Sequence, residues 1–324
     1  MKKRKLGWTD LELSVVGLGC WSFGGGEWKF GWGPQDDELS IQTVYKALDS
    51  GINWIDTAPV YGLGHSEKVV GKALKGMKEK PIIATKCSRR WTEDGEIYGS
   101  LKSDSIRWEV EQSLQRLGVE VIDLYQVHNS DPDEDIEEGW ETIQELIKEG
   151  KIRYAGVSNF NVEQMERCQN IHRIASDQPL YNMLQNGIEK DIIPYAGQKN
   201  MGLVVYSPLC KGMLTGKVTR EWIESLPDGD HRKVADPVFT SPHLDKILSF
   251  VDRLQKISDE LNITTAQLAV AWTLRKEEVT SAIVGARKPA QAEQNAGAGK
   301  VELTDDVIEK IQSLRREYEI DKIL

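Results

Sequence analysis

Short apolar runs rich in β-branched residues alternate along the chain with amphipathic segments. The runs fall at Val15–Cys20, Asn53–Thr57, Ile82–Lys86, Ile122–His128, Arg153–Ser158, Ile174–Gln178, Leu203–Tyr206 and Ser281–Gly285. Runs this short, apolar at successive positions, are expected of strands buried on both faces. The segments between them carry helix start and stop signals. Asp36-Asp37 opens a helix through Val44, Ala47 and Leu48 that stops at Gly51, and Ser103 or Asp104 opens another through Val110, Leu114 and Leu117 that stops at Gly118. A third, Ile136 to Glu149, stops at Gly150. Helical returns make successive strands parallel. Eight strand–helix units without a linker or composition break therefore predict an α/β fold, a closed (β/α)8 TIM barrel spanning residues 1–324 as one domain. An open doubly wound sheet is the competing arrangement.

Three segments depart from simple alternation. An N-terminal hairpin is expected from Lys5–Trp8 and Leu11–Ser14, turning at Thr9-Asp10. After the seventh strand, about 35 residues from Leu209 to Leu244, with Gly212, Gly216, Pro227, Gly229, Pro237 and Pro242, form a loop too long for a plain connection and suited to a lid. Two extra helices, Leu244–Leu261 and Thr264–Lys276, precede the last strand, and another, Thr304–Tyr318, follows it.

The 324-residue length is ample for a core. No apolar stretch has the roughly 18 residues of a membrane span, and the basic start Met-Lys-Lys-Arg-Lys is not followed by an apolar signal segment, so a cytoplasmic protein without membrane insertion is expected. A net charge of −10 argues against nucleic acid as the main partner. Cys20, Cys87, Cys168 and Cys210 lack paired spacing and the histidines form no ligand motif, so no metal is expected.

In a parallel barrel, functional groups gather at the carboxyl ends of the strands. Those ends here carry Trp21, Asp56, Lys86, His128, Ser158-Asn159, Gln178, Tyr206-Ser207 and Gly285-Ala286-Arg287, with Tyr61 just beyond Asp56. A phenol protonates a developing alkoxide only if its ionised form is stabilised. Lys86 could supply that stabilisation, Asp56 could hold the ammonium charged, and His128 could hydrogen-bond the same carbonyl oxygen. No nucleophile is needed if a cofactor delivers hydride.

Gly51-Ile52-Asn53-Trp54-Ile55-Asp56-Thr57-Ala58-Pro59-Val60-Tyr61-Gly62-Leu63-Gly64-His65-Ser66-Glu67 resembles the aldo-keto reductase signature. Further likeness lies in Gly17-Leu18-Gly19-Cys20-Trp21, Ala84-Thr85-Lys86, Leu124-Tyr125-Gln126-Val127-His128, Gly156-Val157-Ser158-Asn159-Phe160 and Tyr206-Ser207-Pro208-Leu209. The resemblance, closest to the prokaryotic and potassium-channel β-subunit-like branches, covers nearly the whole chain. It implies NAD(P)H-dependent reduction of an aldehyde or ketone, with Tyr61 as general acid, Lys86 and Asp56 tuning it, and His128 orienting the carbonyl. It also implies that Ser158, Asn159 and Gln178 bind the nicotinamide carboxamide and that Tyr206 stacks on the ring. Ser207, Leu209 and Lys211 would run along the pyrophosphate. Gly285, Arg287, Gln291, Gln294 and Asn295 would clamp the adenosine, with Trp21 counted among the cofactor-lining positions. Arg287 is suited to a 2′-phosphate, favouring NADP(H), with NAD(H) the alternative. Trp28, Trp32 and Trp91 are candidates to line an apolar mouth for a small carbonyl substrate. A cofactor-binding regulatory or sensor subunit and an NAD-dependent polyol or sugar dehydrogenase are the competing functions.

Overall fold

The computed structural model describes residues 1–26, 28–228, 230–234, 236–240 and 242–323; Glu27, Gly229, Ala235, Ser241 and Leu324, and with them the part played by Gly229 in the long loop, lie outside the described residues. Eight parallel strands close a barrel. They are β1 (Val16–Gly19), β2 (Trp54–Asp56), β3 (Ile82–Cys87), β4 (Ile122–Val127), β5 (Ile152–Ser158), β6 (Ser176–Gln178), β7 (Gly202–Tyr206) and β8 (Val279–Gly285). β8 closes the ring on β1, pairing Ile283 with Gly17 and Gly285 with Gly19.

The surrounding helices are α1 (Asp37–Asp49), α2 (His65–Leu74), α3 (Ser103–Leu117), α4 (Ile136–Lys148), α5 (Val162–Gln169), α6 (Ile192–Lys199), α7 (Leu244–Glu260), α8 (Thr265–Thr273), α9 (Pro289–Gly297) and α10 (Asp305–Glu317). The anticipated caps operate: Asp36 accepts from the Leu39 amide at the start of α1, and Gly118 closes α3 in the left-handed conformation. α7 and α10 lie outside the repeat, and Phe250 of α7 meets Tyr318 just after α10 with ring centroids 6.1 Å apart.

Two apolar zones hold the fold together. One fills the space between the barrel and its helices. The other lies within the barrel, where Trp54, Ala84, Leu124, Ala175, Val204 and Ile283 meet Leu6, Leu11 and Leu13 of the N-terminal hairpin. The hairpin thus plugs the amino-terminal end of the barrel. Its pairing differs from the expected one: Lys3–Lys5 pairs with Glu12–Ser14, Lys5 opposite Glu12, so the turn spans Leu6 to Leu11. The reason is burial, because Leu6 and Leu11 are 0% and 3% exposed and leave the ladder to enter the barrel floor.

The segment after β7 is long, as expected, but is built from left-handed turns, a 3-10 segment at Cys210–Thr215 and short helices at Arg220–Glu224, His231–Val234 and Pro237–Thr240. A second hairpin, Arg89–Trp91 with Ile97–Gly99, follows β3 and has no counterpart in the sequence reading. Its strands are too short to produce a periodic signal. Among the described residues no helix is long and apolar enough to cross a membrane.

Glu109 of α3 underlies that hairpin. It is 1% exposed, accepts from the Ser88 amide at 3.3 Å and the Ser105 hydroxyl at 3.2 Å, and has one oxygen without a partner among the described residues. Burial raises its pKa to about 7. The folded state therefore binds a proton that the unfolded chain has released, and this group's contribution to stability is complete below the ordinary carboxylate range and lost as pH rises through about 7. Urea unfolding at pH 5 and pH 8 is expected to show a loss of roughly 3 kcal/mol from this source, which Glu109→Gln should abolish.

Candidate active site

Strand alternation directs Asp56, Lys86 and Gln178 into the barrel above its apolar floor. Lys86 and Asp56 are 0% and 2% exposed, and Lys86 Nζ lies 2.7 and 2.9 Å from the two Asp56 carboxylate oxygens. The ammonium also donates to the Thr57 carbonyl at 3.0 Å and to the Tyr61 hydroxyl at 3.3 Å. Tyr61 arrives from the turn after β2, 6% exposed, and its ring meets that of His128 edge to face at 5.8 Å. Asp56, Tyr61, Lys86 and His128 therefore form one cluster. Asp56 is further bound by the amide of Gln178 at 2.8 Å and more weakly by that of Gln126 at 3.4 Å.

Burial dominates the protonation of the cluster. It pushes the Tyr61 phenol well above its ordinary value, with the Asp56 carboxylate adding to the effect. The sequence led to the opposite expectation, that Lys86 would favour the phenolate; pairing with Asp56 offsets the ammonium's charge at the phenol, which stays protonated and able to donate. Lys86 is lowered by burial while Asp56 pulls it back up. His128 is held well below its ordinary value by burial and then by the cations Lys86 and Arg89. Its imidazole is neutral at neutral pH, and its buried Nδ1 has no hydrogen-bond partner among the described residues.

Beside the cluster, Ser158 donates to the Gln178 carbonyl at 2.8 Å, and Asn159, in a left-handed conformation with φ 60°, donates to the His128 carbonyl at 3.1 Å. Tyr206 donates from its hydroxyl to Asn159 Oδ1 at 2.9 Å. These four thus adjoin one another and the buried pair. Ser207, Lys211 and Gly212 have φ of 58°, 53° and 101°. Such left-handed residues turn backbone amides into a concave surface suited to an anion. Leu209 is half-buried between them. Lys211 is ion-paired to Asp236, which is 3% exposed.

Arg287 and its neighbours bind protein groups. Arg287 donates to Gln35 Oε1 at 2.8 Å, to the Trp32 carbonyl at 3.1 Å and to the Pro34 carbonyl, while Gln291 accepts from its backbone amide at 2.8 Å. Asn295 donates to the Gly285 carbonyl at 3.1 Å, and the Gln294 carbonyl accepts from Gln267 at 3.0 Å. A pocket of about 480 Å³ is bounded by Arg287, Lys288 and Gln291 on one side and by Gln35, Asp36 and Leu39 on the other.

The loop after β1 forms an aromatic wall at the mouth. Trp21 stacks near Tyr61 at 5.0 Å, Trp28 at 5.2 Å and Trp32 at 6.3 Å between ring centroids. Trp91 does not join it; the hairpin that carries Trp91 instead brings Ile97 to the cluster around Tyr61.

Residues 15–316 match the model of the aldo/keto reductase family. The chain belongs to the aldo/keto reductase family. It is 41% identical over 288 residues to aldo-keto reductase YhdN of Bacillus subtilis, spanning 88% of this chain and 85% of that one. It is 35% identical over 320 residues to an NADH-specific methylglyoxal reductase of Escherichia coli, spanning 94% and 95%. Among solved structures, a glycerol dehydrogenase of Gluconobacter oxydans superposes with a TM-score of 0.89 at 38% identity over 98% of this chain and 95% of that one. The holo form of an aldo-keto reductase of Bacillus halodurans gives 0.81 at 29% identity over 97% and 96%. The protein is accordingly an oxidoreductase of a family that acts with nicotinamide cofactors on carbonyl compounds.

Sequence reasoning missed two parts of this aldo/keto reductase site. Gln126 faces the same way as Leu124 and His128, and an amide at an inward position of a buried strand was the available signal. Arg232 had none: its guanidinium lies 5.1 Å from the rings of both Trp32 and Trp222, joining the loop after β7 to the loop after β1.

Removing one member of a buried ion pair strands the other. Asp56→Asn is expected to lower stability by about 3–5 kcal/mol in urea unfolding at pH 7, and the double variant Asp56→Leu/Lys86→Met to recover most of that loss. Equal losses in the single and double variants would contradict the pairing.

Proposed function

We propose that this protein reduces an aldehyde or ketone to an alcohol, with Tyr61 as general acid, and that residues 1–324 act as one catalytic unit. The observation that carries the reading is a neutral, nearly buried phenol 3.3 Å from the Lys86 ammonium, beside the aromatic residues of the mouth. When bound, the nicotinamide supplies hydride to the carbonyl carbon. The chain's own residues supply the rest. Tyr61 transfers its proton to the oxygen as negative charge builds there, and the charge left on the phenolate is met by Lys86, whose own charge is held by Asp56. His128, neutral, orients the carbonyl oxygen by a hydrogen bond. Trp21 and Trp28 exclude water beside Tyr61 and favour a small substrate.

The cofactor reading rests on donors that fit the group. Ser158, Asn159 and Gln178 present amide and hydroxyl groups for a carboxamide, Tyr206 presents a ring, and the turn of Ser207, Leu209 and Lys211 suits the pyrophosphate. Gly285, Arg287, Gln291, Gln294 and Asn295 bound the adenosine end. Of the two coenzymes, NADH is proposed to bind at least as tightly as NADPH. Each nitrogen of the Arg287 guanidinium already donates to the loop after β1, and Asp36 places a carboxylate in the same pocket, where it suits a ribose hydroxyl better than a phosphate. The NADH-specific relative points the same way. Oxidation of a polyol is the second reading, favoured by the likeness to a glycerol dehydrogenase.

Tyr61→Phe should lower kcat by about 10²- to 10⁴-fold, the range for loss of a positioned proton donor, and leave the coenzyme Kd within about twofold. Nicotinamide absorbance against a panel of aldehydes, ketones and sugars, with fluorescence titration of both coenzymes, makes the measurement. An unchanged rate in Tyr61→Phe would overturn the role assigned to the phenol.

A further inference from the structure

The two groups in the proposed proton transfer hang from successive residues of one helix. α2 begins four residues beyond Tyr61, and the amide of its second residue, Ser66, donates to the Tyr61 carbonyl at 3.1 Å. The Ser66 hydroxyl lies 2.9 Å from the Thr57 hydroxyl and donates to the Cys20 carbonyl at 2.8 Å. Thr57 is the residue whose carbonyl accepts from Lys86. The next residue, Glu67, is fully buried, and one of its oxygens accepts from the Thr85 hydroxyl at 2.6 Å. Thr85 immediately precedes Lys86 in β3 and points to the helix layer while Lys86 points into the barrel. The other Glu67 oxygen accepts from Arg116 Nε of α3 at 2.6 Å, in an ion pair whose arginine side chain is 11% exposed.

We propose that Glu67 is a positioning residue for the reaction, fixing the Tyr61–Lys86 separation by clamping Thr85 while its own helix carries the turn of Tyr61. The inference rests on the carbonyl-reduction reading above. A carboxylate bound on both oxygens in the core has one rotamer open to it, so the Tyr61 turn and the Lys86 strand cannot slide past one another without breaking a buried charge-assisted hydrogen bond. The same carboxylate acts on Lys86 through space. The charged and titratable groups facing Lys86 are Asp56 from β2, Tyr61 from the turn, Cys20 beyond β1, His128 beyond β4 and Glu67 from α2, and Glu67 joins Asp56 in opposing the lowering of the lysine by burial. Glu67 itself faces Arg116 and, further off, Glu109 and Tyr125.

The test compares Thr85→Val, which removes the hydroxyl, Thr85→Ser, which keeps it, and Glu67→Gln, which keeps an acceptor for Thr85 but not the charge. Wild type and Tyr61→Phe are measured alongside. Thr85→Val should lower kcat by about 10- to 100-fold, the scale of an ångström-level misplacement, with coenzyme Kd and substrate KM within about twofold. Thr85→Ser should restore most of the rate. Glu67→Gln should move the alkaline limb of the kcat profile to lower pH, because the lysine then loses its proton more readily. If Thr85→Val and Glu67→Gln fold, as read by circular dichroism, and keep the wild-type kcat and pH profile while Tyr61→Phe is inactive, the positioning role is overturned and the functional reading stands. If Tyr61→Phe keeps its rate, the functional reading fails and the proposal with it. A fall in melting temperature with kcat unchanged well below it would mark Glu67 as structural only and overturn the proposal.

Discussion

The buried ammonium of Lys86 is the constraint around which the upper barrel is arranged. Taken out of water, it needs a counter-charge and acceptors for three N–H groups, and it finds four contacts: two carboxylate oxygens of Asp56, the Thr57 carbonyl and the Tyr61 hydroxyl. With more acceptors than hydrogens, one contact must be the loosest, and it is the phenol at 3.3 Å. The charge is thus held chiefly by Asp56 and the Thr57 carbonyl, and the hydroxyl can turn its own hydrogen toward the mouth. Asp56 is held in turn, its second oxygen accepting from Gln178 and Gln126. Paired in this way, Asp56 opposes the burial that otherwise favours the neutral form of the lysine.

The barrel makes this affordable by zoning its interior. Along β2, β3 and β4 the inward side chains run from Trp54 to Asp56, from Ala84 to Lys86, and from Leu124 through Gln126 to His128, apolar at the floor and polar at the rim. Gly17 leaves room for the Trp54 indole, since a Cβ there would lie 2.2 Å from its ring. The N-terminal hairpin closes the lower end with Leu6, Leu11 and Leu13. Among the described residues the lower end is thus apolar, and the polar layer faces the carboxyl ends of the strands, where the loops lie.

How much of this was legible in the sequence follows from the range of each interaction. The eight strands and the cluster of Asp56, Tyr61, Lys86 and His128 were legible because strand-end position is set by local pattern, and a closed parallel barrel brings strand ends together. The hairpin register was not, since the burial of Leu6 and Leu11 depends on a floor built by strands far along the chain. Lys211 and Arg287 were read as contacts to the pyrophosphate and a 2′-phosphate, and the protein partners that engage them were out of reach of that reading: Asp236 in the one case, and in the other Gln35, 252 positions away. The direction of the Tyr61 shift failed for a related reason. Proximity of a lysine is visible in a motif, but the balance of burial against a charge already neutralised by Asp56 is a property of the folded site.

Those distant partners also explain how the mouth and the groove at the barrel rim are joined. Arg287 grips the Trp32 carbonyl from beyond β8, and Arg232, fixed by both oxygens of Asp230, lies over the Trp32 ring from the loop after β7. Trp32 adjoins Trp21, and Trp21 adjoins Tyr61. Two loops that flank the proposed coenzyme path are thereby connected, through one tryptophan, to the aromatic wall beside Tyr61, the proposed proton donor. An arginine on an indole face is attracted by the ring rather than through directed hydrogen bonds, whereas the Lys86–Asp56 pair is joined by two of them. The directed, charge-assisted contacts are accordingly those around Tyr61 and Lys86, and the ring contacts are those along the proposed path of coenzyme and substrate.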